Sequence, residues 1–454
     1  MTDSSRRMDL VREAFHYQSR FSGSTMVFRI DFPVTQEPGF PSLMKDLALL
    51  AQTGFKVVIV PGAKEWIDSV LAEYGIETDY VTQGSGEPAP EPGRGGVPLR
   101  LTAGRVMPFV EMAAFHVATR FMTALSADRT DSVIGSFVRA RGLGVLDGTD
   151  MECTGRVEKI LTGPISRVLD LGMVPILPCI GWGPSGKSYN VSSDEIALAA
   201  AAALEAVKFF VVSAGQGIFR EGGYILPDPP DSDLESIRLT LPEAEKVLEL
   251  NRGRKGTNNR ALDDLGLAIA ASKTGVERVH IVDGREEGAV LKELFSNLGS
   301  GTMVYADEYE AIRPVKTSDI PDMLRIMEPL MRQGILVRRS QEDILCKKDD
   351  YSVFGIDGRV HACGALHRYG ADGEIAAVAV DPGYADMGLG RRMVGFLVSK
   401  AKRGGLKNVF ILTTRTQDWF ETLGFIEGSK ESLPVERQKT YDGERRSKVF
   451  ILKL

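Results

Sequence analysis

The sequence lacks the features that would mark several functional classes. Four cysteines occur in 454 residues, Cys153, Cys179, Cys346 and Cys363, and no two form a C-x-x-C pair. That excludes the usual zinc and redox spacings and fits reduced thiols in a cytoplasmic protein. No apolar run reaches the roughly 20 residues of a membrane span, and "ALAAAAALEAV" is short and carries a glutamate. "MTDSSRRMDLVREAF" has no apolar signal core. A net charge of −6 argues against a general nucleic-acid binder. No cluster predicts a metal, and no repeat of solenoid length is visible.

What is present is layered α/β. "TMVFRIDFPV", the helical "FPSLMKDLALLAQTG" and the strand "KVVIVPG" run in β-α-β order. "VPILPCIG", "SSDEIALAAAAALEAV", "KFFVVSAG", "VERVHIVDG" and "GAVLKELFSNLG" continue the rhythm. Strands that are apolar throughout predict a mainly parallel sheet covered by helices on both faces. A mixed-charge helix is expected over 6–20. The Gly-, Pro- and Glu-rich stretch 83–96 and the proline-rich stretch 227–233 are expected to be surface loops. We place one domain over 1–306 and a second, α+β domain over 311–454.

The second domain contains "IAAVAVDPGYADMGLGRRMVGFLVSKAKRGG", which reads as strand, loop, helix. Leu389, Met393, Leu397 and Ala401 form its buried stripe, and Gly404-Gly405 ends the helix. The loop delivers backbone N–H groups to a helix N-terminus, where an anion is favoured. Gly388 and Gly390 let a phosphate approach, and Arg391 and Arg392 add charge.

Here the sequence resembles the GNAT acetyltransferases, whose coenzyme A loop is commonly [QR]-x-x-G-x-[GA]. The glycines fit, and Ala385 stands where Gln or Arg is usual. "GILVRRS" (334–340), "GEIAAVAVDPGY" (373–384), "LTTRTQDWFETLGF" (412–425) and "RRSKVFILKL" (445–454) resemble the acetyltransferase domain of the bacterial N-acetylglutamate synthase family, in the same order and spacing. "SYNVSSDEIALAAAAALEAVKFFVVSAGQGIF" and "VHIVDGREEGAVLKELFSNLGSGTMV" resemble that family's amino acid kinase-like domain.

The resemblance implies acetyl transfer from acetyl-CoA to the α-amine of L-glutamate, the first step of L-arginine biosynthesis. It implies coenzyme contacts at Ala379, Val380, Met387, Gly388, Leu389, Gly390, Arg391 and Arg392. Glu374, an acid opening an apolar strand, is the expected base, because an α-ammonium is no nucleophile until it loses a proton. Arg339, Arg445 and Ser447 are expected to bind the glutamate carboxylates, with Arg338 and Arg446 as off-by-one alternatives. Trp419, Phe420 and Phe425 are expected to pack, and no tyrosine stands out as the acid.

In the first domain, "VFRIDFPV" has neither the lysine nor the glycine pair of the kinases' first phosphate site, so a scaffold or sensor is expected. The resemblance implies L-arginine sensing through Lys208, His280, Glu293 and Gly299, with an aromatic at Phe15 or Tyr17. It also implies a homo-oligomer, a hexamer in relatives. The competing readings are a non-catalytic arginine-binding regulator, an acetyltransferase for another amino acid, and a bifunctional synthase and kinase.

Overall fold

A computed structural model describes residues 18, 21–81, 99–146, 148–219, 222–226, 237–254, 258–295, 301–305, 310–356, 359–382, 384, 388–414, 417–442, 445 and 447–454. The expected 6–20 helix, the loops 83–96 and 227–233, Phe15, Tyr17, Gly299, Ala385, Met387 and Arg446 lie wholly or almost wholly outside these residues. The chain divides into two compact units between Tyr305 and Glu310.

The first unit is built on an eight-stranded sheet. Its strands are β1 (Thr25–Ile30), β2 (Lys56–Pro61), β3 (Ser132–Ile134), β4 (Val174–Ile176), β5 (Lys208–Ser213), β6 (Ile237–Thr240), β7 (Arg278–Asp283) and β8 (Thr302–Tyr305). They lie in the order β6-β8-β7-β5-β1-β2-β4-β3. Neighbours are parallel except for β7 and β8.

Alternate residues of the central strands enter two separate cores, as the period-two geometry requires. Met26, Phe28, Ile30, Val57, Ile59 and Phe210 face one core. There they meet helices α1 (Phe40–Gln52), α2 (Lys64–Glu73) and α3 (Met107–Ala127). Val27, Val58, Val60, Phe209, Val211 and Ile281 face the other. That core is closed by α4 (Ser193–Ala203), α5 (Leu241–Asn251) and α6 (Asn259–Lys273). Phe28 stacks on Phe210 with centroids 4.5 Å apart, tying β1 to β5. Helix α7 (Ala289–Phe295) packs beside β7 on the α1 side.

The second unit has a seven-stranded sheet in the order β9-β10-β11-β12-β13-β15-β14. Its strands are β9 (Glu310–Pro314), β10 (Tyr351–Ile356), β11 (Arg359–Tyr369), β12 (Asp372–Val380), β13 (Asn408–Thr413), β14 (Ile426–Gly428) and β15 (Lys448–Lys453). Only β12 and β13 pair in parallel. Helix α8 (Ile320–Arg332) covers one face, α9 (Gln341–Cys346) follows it, and α10 (Leu389–Arg403) covers the other face. Leu389, Met393, Leu397 and Ala401 of α10 are fully buried, as the four-residue spacing predicts. Gly404 caps α10, and Gly405 at φ +73° takes the left-handed turn that follows. Two short helices complete the unit, α11 (Gln417–Thr422) and α12 (Val435–Lys439).

No described helix is long and apolar enough to cross a membrane. Cys153, Cys179 and Cys363 are buried thiols and Cys346 is exposed. Burial pushes Cys179 and Cys363 up to about 12, which leaves them unreactive at neutral pH.

Candidate active site and effector site

Strands β12 and β13 pair only at Asp372, Gly373 and Glu374, against Asn408, Val409 and Phe410. Beyond Glu374 they part, and β13 continues to pair with β15 as far as Thr413↔Lys448. The far half of β12 therefore has a backbone edge with no ladder partner on the β13 side.

A bulge in β12 reshapes that edge. Cys363 pairs with Ala379 but Ala365 with Ala376, so one extra residue is inserted in β12. Ala377 accommodates it at φ +54°. The extra residue reverses the alternation of side chains. Ile375 enters the core beneath α10, whereas after the bulge Val378 and Val380 face that core and Ala377 and Ala379 face α8. Opposite the bulge, Gly364 lies so close to α10 that a Cβ would sit 2.9 Å from the Leu397 side chain. A positive φ at a non-glycine residue stores strain of about 1–3 kcal/mol.

Glu374 is 6% exposed and stands where the strands part. Both of its oxygens are held by Arg437 of α12, which donates from Nε at 2.7 Å and from Nη2 at 3.1 Å. Arg437 also donates from Nη1 to the carbonyl and hydroxyl of Thr440, at 3.0 and 3.2 Å. Burial works against the Arg437 charge, but the hydrogen bonds and charge of Glu374 outweigh it and raise its pKa. Tyr369 on β11 hydrogen-bonds to Glu374, and its pKa is raised by burial and then by the carboxylate charge.

Arg339 is half-buried whereas Arg338 is exposed. The Arg339 guanidinium hydrogen-bonds to Tyr351, whose pKa burial raises against it. Arg339 also donates to the Val337 carbonyl at 3.0 Å. Arg445 donates to the carbonyls of Gly334 and Ile335, which pins the turn after α8. Burial and then the like charge of Arg339 lower its pKa. Two guanidiniums thus act on one another while directing donors at neutral carbonyls, an arrangement that favours an incoming carboxylate. Ser447, whose carbonyl accepts from the Tyr441 hydroxyl at 2.7 Å, leads into β15 beside the end of β13.

The glycine loop behaves as the sequence suggests at its described end. Gly388 is left-handed at φ +66° and starts α10, and no side chain caps that end. The helix's own bonding begins with Arg392 N–H to the Gly388 carbonyl at 3.1 Å. The amides of Leu389, Gly390 and Arg391 thus have no partner within the helix. A Cβ on Gly390 would lie 3.4 Å from Trp419 and 3.6 Å from Val380, so glycine keeps this corner narrow. Arg391 and Arg392 are exposed, and Arg392 lies 4.7 Å above the Phe354 ring. The Ala379 and Leu389 side chains are core, so these residues can offer a ligand only backbone. Phe420 and Phe425 are buried and Trp419 packs against them.

In the first unit, His280, Glu293 and Lys208 meet as one buried chain. His280 lies 3.3 Å from Lys208 Nζ and 2.8 Å from Glu293 Oε1. The N–H of Gly301 donates to Glu293 Oε2 at 3.0 Å. Burial, then the Lys208 charge, hold His280 down at about 4, so the ring is neutral at pH 7. A neutral ring satisfies both neighbours in one tautomer: Lys208 donates to Nε2 and Nδ1–H donates to Glu293. Phe21, which no sequence motif marks, completes the cluster. Lys208 and Arg278 lie 5.6 and 5.7 Å from its ring centre.

A depressed histidine pKa stabilises the fold above the unfolded value of 6.5, and that stability is lost as pH falls toward about 4. The slope is at most about 1.4 kcal/mol per pH unit. Thermal melts from pH 7 to 4 should therefore steepen below 6.5, and His280→Asn should flatten that part of the curve.

A cavity of about 210 Å³ lies beyond the ends of β1 and β2. Where the kinases' lysine and glycines are expected, it holds a charge network. The buried Arg29 pairs with Asp31 and, at 2.6 Å, with Asp194, and Arg260 pairs with Asp31. Among the described residues, no group of three or more His, Cys, Asp or Glu could hold a metal ion.

Residues 28–283 match the amino acid kinase family, and residues 321–425 match the acetyltransferase (GNAT) family. An amino-acid acetyltransferase of Yersinia pseudotuberculosis is 31% identical, over 98% of this chain and 97% of that protein. Two crystal structures of N-acetylglutamate synthase from Neisseria gonorrhoeae are similar across the whole length. The one complexed with coenzyme A and L-arginine is 30% identical with a TM-score of 0.80. The one complexed with coenzyme A and N-acetyl-glutamate is 31% identical with a TM-score of 0.59. Each comparison covers 98% of this chain and 99% of the other. The chain accordingly belongs to the amino-acid acetyltransferase family of bacterial N-acetylglutamate synthases, acyltransferases that join an amino acid kinase fold to a GNAT domain.

Proposed function

We propose that this enzyme transfers the acetyl group of acetyl-CoA to the α-amine of L-glutamate, giving N-acetyl-L-glutamate and coenzyme A, the first step of L-arginine biosynthesis. The observation that carries the reading is the buried Glu374 carboxylate where β12 and β13 part, next to the bulged, unpaired edge of β12. Acetyl-CoA supplies the activated acyl group. Its pyrophosphate suits the uncapped N-terminus of α10, with the left-handed Gly388, the narrow Gly390 and the cations Arg391 and Arg392. The backbone of Ala377–Val380 along the open edge can accept the thioester carbonyl and donate N–H groups to its developing oxyanion.

Glu374 takes a proton from the substrate ammonium, directly or through a water. The freed lone pair attacks the acyl carbon. The carbon–sulfur bond then breaks, the nitrogen gives up its second proton, and the thiolate takes up one proton. Arg339 and Arg445, with Ser447, hold the two substrate carboxylates. These cations and Arg437 also lower the pKa of the bound ammonium, which eases its deprotonation.

The first unit, in this reading, is a sensor and not a kinase. The charge network stands where the kinases' first-strand lysine and glycine pair are expected, although Gly62 and Lys64 also line the cavity. L-arginine is the proposed effector, at Glu293, His280 and Lys208, with Phe21 in the aromatic position expected at Phe15 or Tyr17. Its guanidinium suits the Glu293 carboxylate. Calorimetry should show arginine binding that Glu293→Gln weakens by about tenfold or more; wild-type affinity in that variant would remove Glu293 from the site. Mass identification of N-acetylglutamate from acetyl-CoA and glutamate tests the reaction itself.

A further inference from the structure

The bidentate partner of Glu374 has so far been given no role toward the base itself. Arg437 sits on a five-residue helix that the sequence reading did not single out. Its geometry is nonetheless specific. Two donors grip both oxygens of a 6%-exposed carboxylate, and the third is fastened to Thr440 of the same turn. The arginine side chain is itself only 16% exposed. A solvent-exposed ion pair would not need every donor group fixed in this way.

We propose that Arg437 is a positioning residue for acetyl transfer: it fixes the rotamer of the Glu374 carboxylate at the point where β12 and β13 part and supplies the counter-charge that lets this buried group act as an ionised base. The inference rests on the assignment of Glu374 as the base. Among the described residues around the carboxylate, Arg437 is its only full counter-charge. From β11 come Tyr369, a neutral phenol, and His367, which is across the strand pair from Glu374 and hydrogen-bonded to Asp350 at 2.6 Å. From β13 comes Phe410, which is apolar. From α12 comes Arg437, with Tyr441 near it.

With two donors from Arg437 and the Tyr369 hydroxyl engaged, the carboxylate keeps one of its roughly four lone-pair directions. An ammonium, or a water bound to it, can be accepted there without displacing the arginine. Arg437 thus constrains the base without occupying it, and as a nearby cation it also disfavours the protonated form of the substrate amine.

The test compares Arg437→Gln, Arg437→Lys and wild type in pH profiles of kcat with both substrates saturating. Arg437→Gln should lower kcat about 100-fold near neutral pH. Its acid limb should move about one pH unit or more toward alkali, because a buried carboxylate without its counter-charge protonates more readily. KM for acetyl-CoA should change little. Arg437→Lys keeps the charge but not the fork. It should keep the wild-type acid limb while losing about tenfold in kcat, and it carries the test if Arg437→Gln does not fold.

An acid limb in Arg437→Gln that coincides with wild type overturns the proposal, as does an unchanged kcat in Arg437→Lys. A readout without turnover separates this inference from the substrate assignment. In protein with 13C-labelled glutamate carboxyls, the Glu374 signal is identified by its absence in Glu374→Gln. Its titration midpoint should rise in Arg437→Gln, whether or not L-glutamate proves to be the acceptor, and an unchanged midpoint contradicts the role.

Discussion

Glu374→Gln is expected to lower kcat by roughly 10²- to 10⁴-fold near neutral pH, the range for loss of a positioned general base. The substitution preserves shape but not chemistry. The amide cannot take a proton, and its NH₂ group meets Arg437 donor to donor where the carboxylate accepted twice. Two signatures separate lost basicity from lost structure. KM for acetyl-CoA should stay near the wild-type value, since Gly388, Gly390 and the start of α10 are untouched. Activity should also recover in part at high pH, where the substrate α-amine loses its proton without help. A variant with wild-type turnover at pH 7 would remove Glu374 from the base role.

The second large effect is expected at the arginine pair. Arg339→Ala should raise KM for the amino acid by about 10- to 100-fold with a smaller change in kcat, because a charge-assisted hydrogen bond is worth about 1.5–3 kcal/mol. Arg339→Lys should recover little, since an ammonium cannot reproduce the planar fork. Arg445→Ala should raise the same KM and also lower the melting temperature, as Arg445 ties the Gly334 and Ile335 carbonyls. An unchanged KM in Arg339→Ala would move the carboxylate site elsewhere.

The fold was legible in proportion to how local its signals are. "KVVIVPG", "KFFVVSAG" and "VERVHIVDG" are strands because their residues are apolar on both faces, and all three lie in the buried middle of the sheet. The α10 stripe could be read from four-residue spacing. Helices α3 and α6 have no clear sequence signal, although α3 runs 21 residues. Both carry apolar or small residues around much of their surface and so lack a clean two-sided pattern. "TMVFRIDFPV" reads as one strand, yet β1 ends at Ile30 and a 3-10 turn spans Phe32–Gln36. Pro33, at the start of that turn, is the signal that could have ended the strand earlier.

In the candidate site, groups carried by motif were legible: Glu374, the Gly388 and Gly390 loop, and Arg339 next to an exposed Arg338. Groups assembled by long-range packing were not. Arg437 is 63 residues from Glu374, and "VERQKT" has no spacing that names one arginine over its neighbours. Phe21 was likewise hidden, because only the return of β5 and β7 to the same end of the sheet brings Lys208 and Arg278 to its ring. The bulge at Ala377 has no composition signal, since alanine seldom takes a positive φ.

The most direct test of the central claim is thiol release from acetyl-CoA, measured with L-glutamate and with L-aspartate, L-glutamine and a panel of other amino acids at equal concentration. The account predicts that L-glutamate has the highest kcat/KM. It also predicts a large drop for L-glutamine, which keeps the length but removes the second carboxylate from Arg339 and Arg445. Turnover with other amino acids and none with L-glutamate would contradict it.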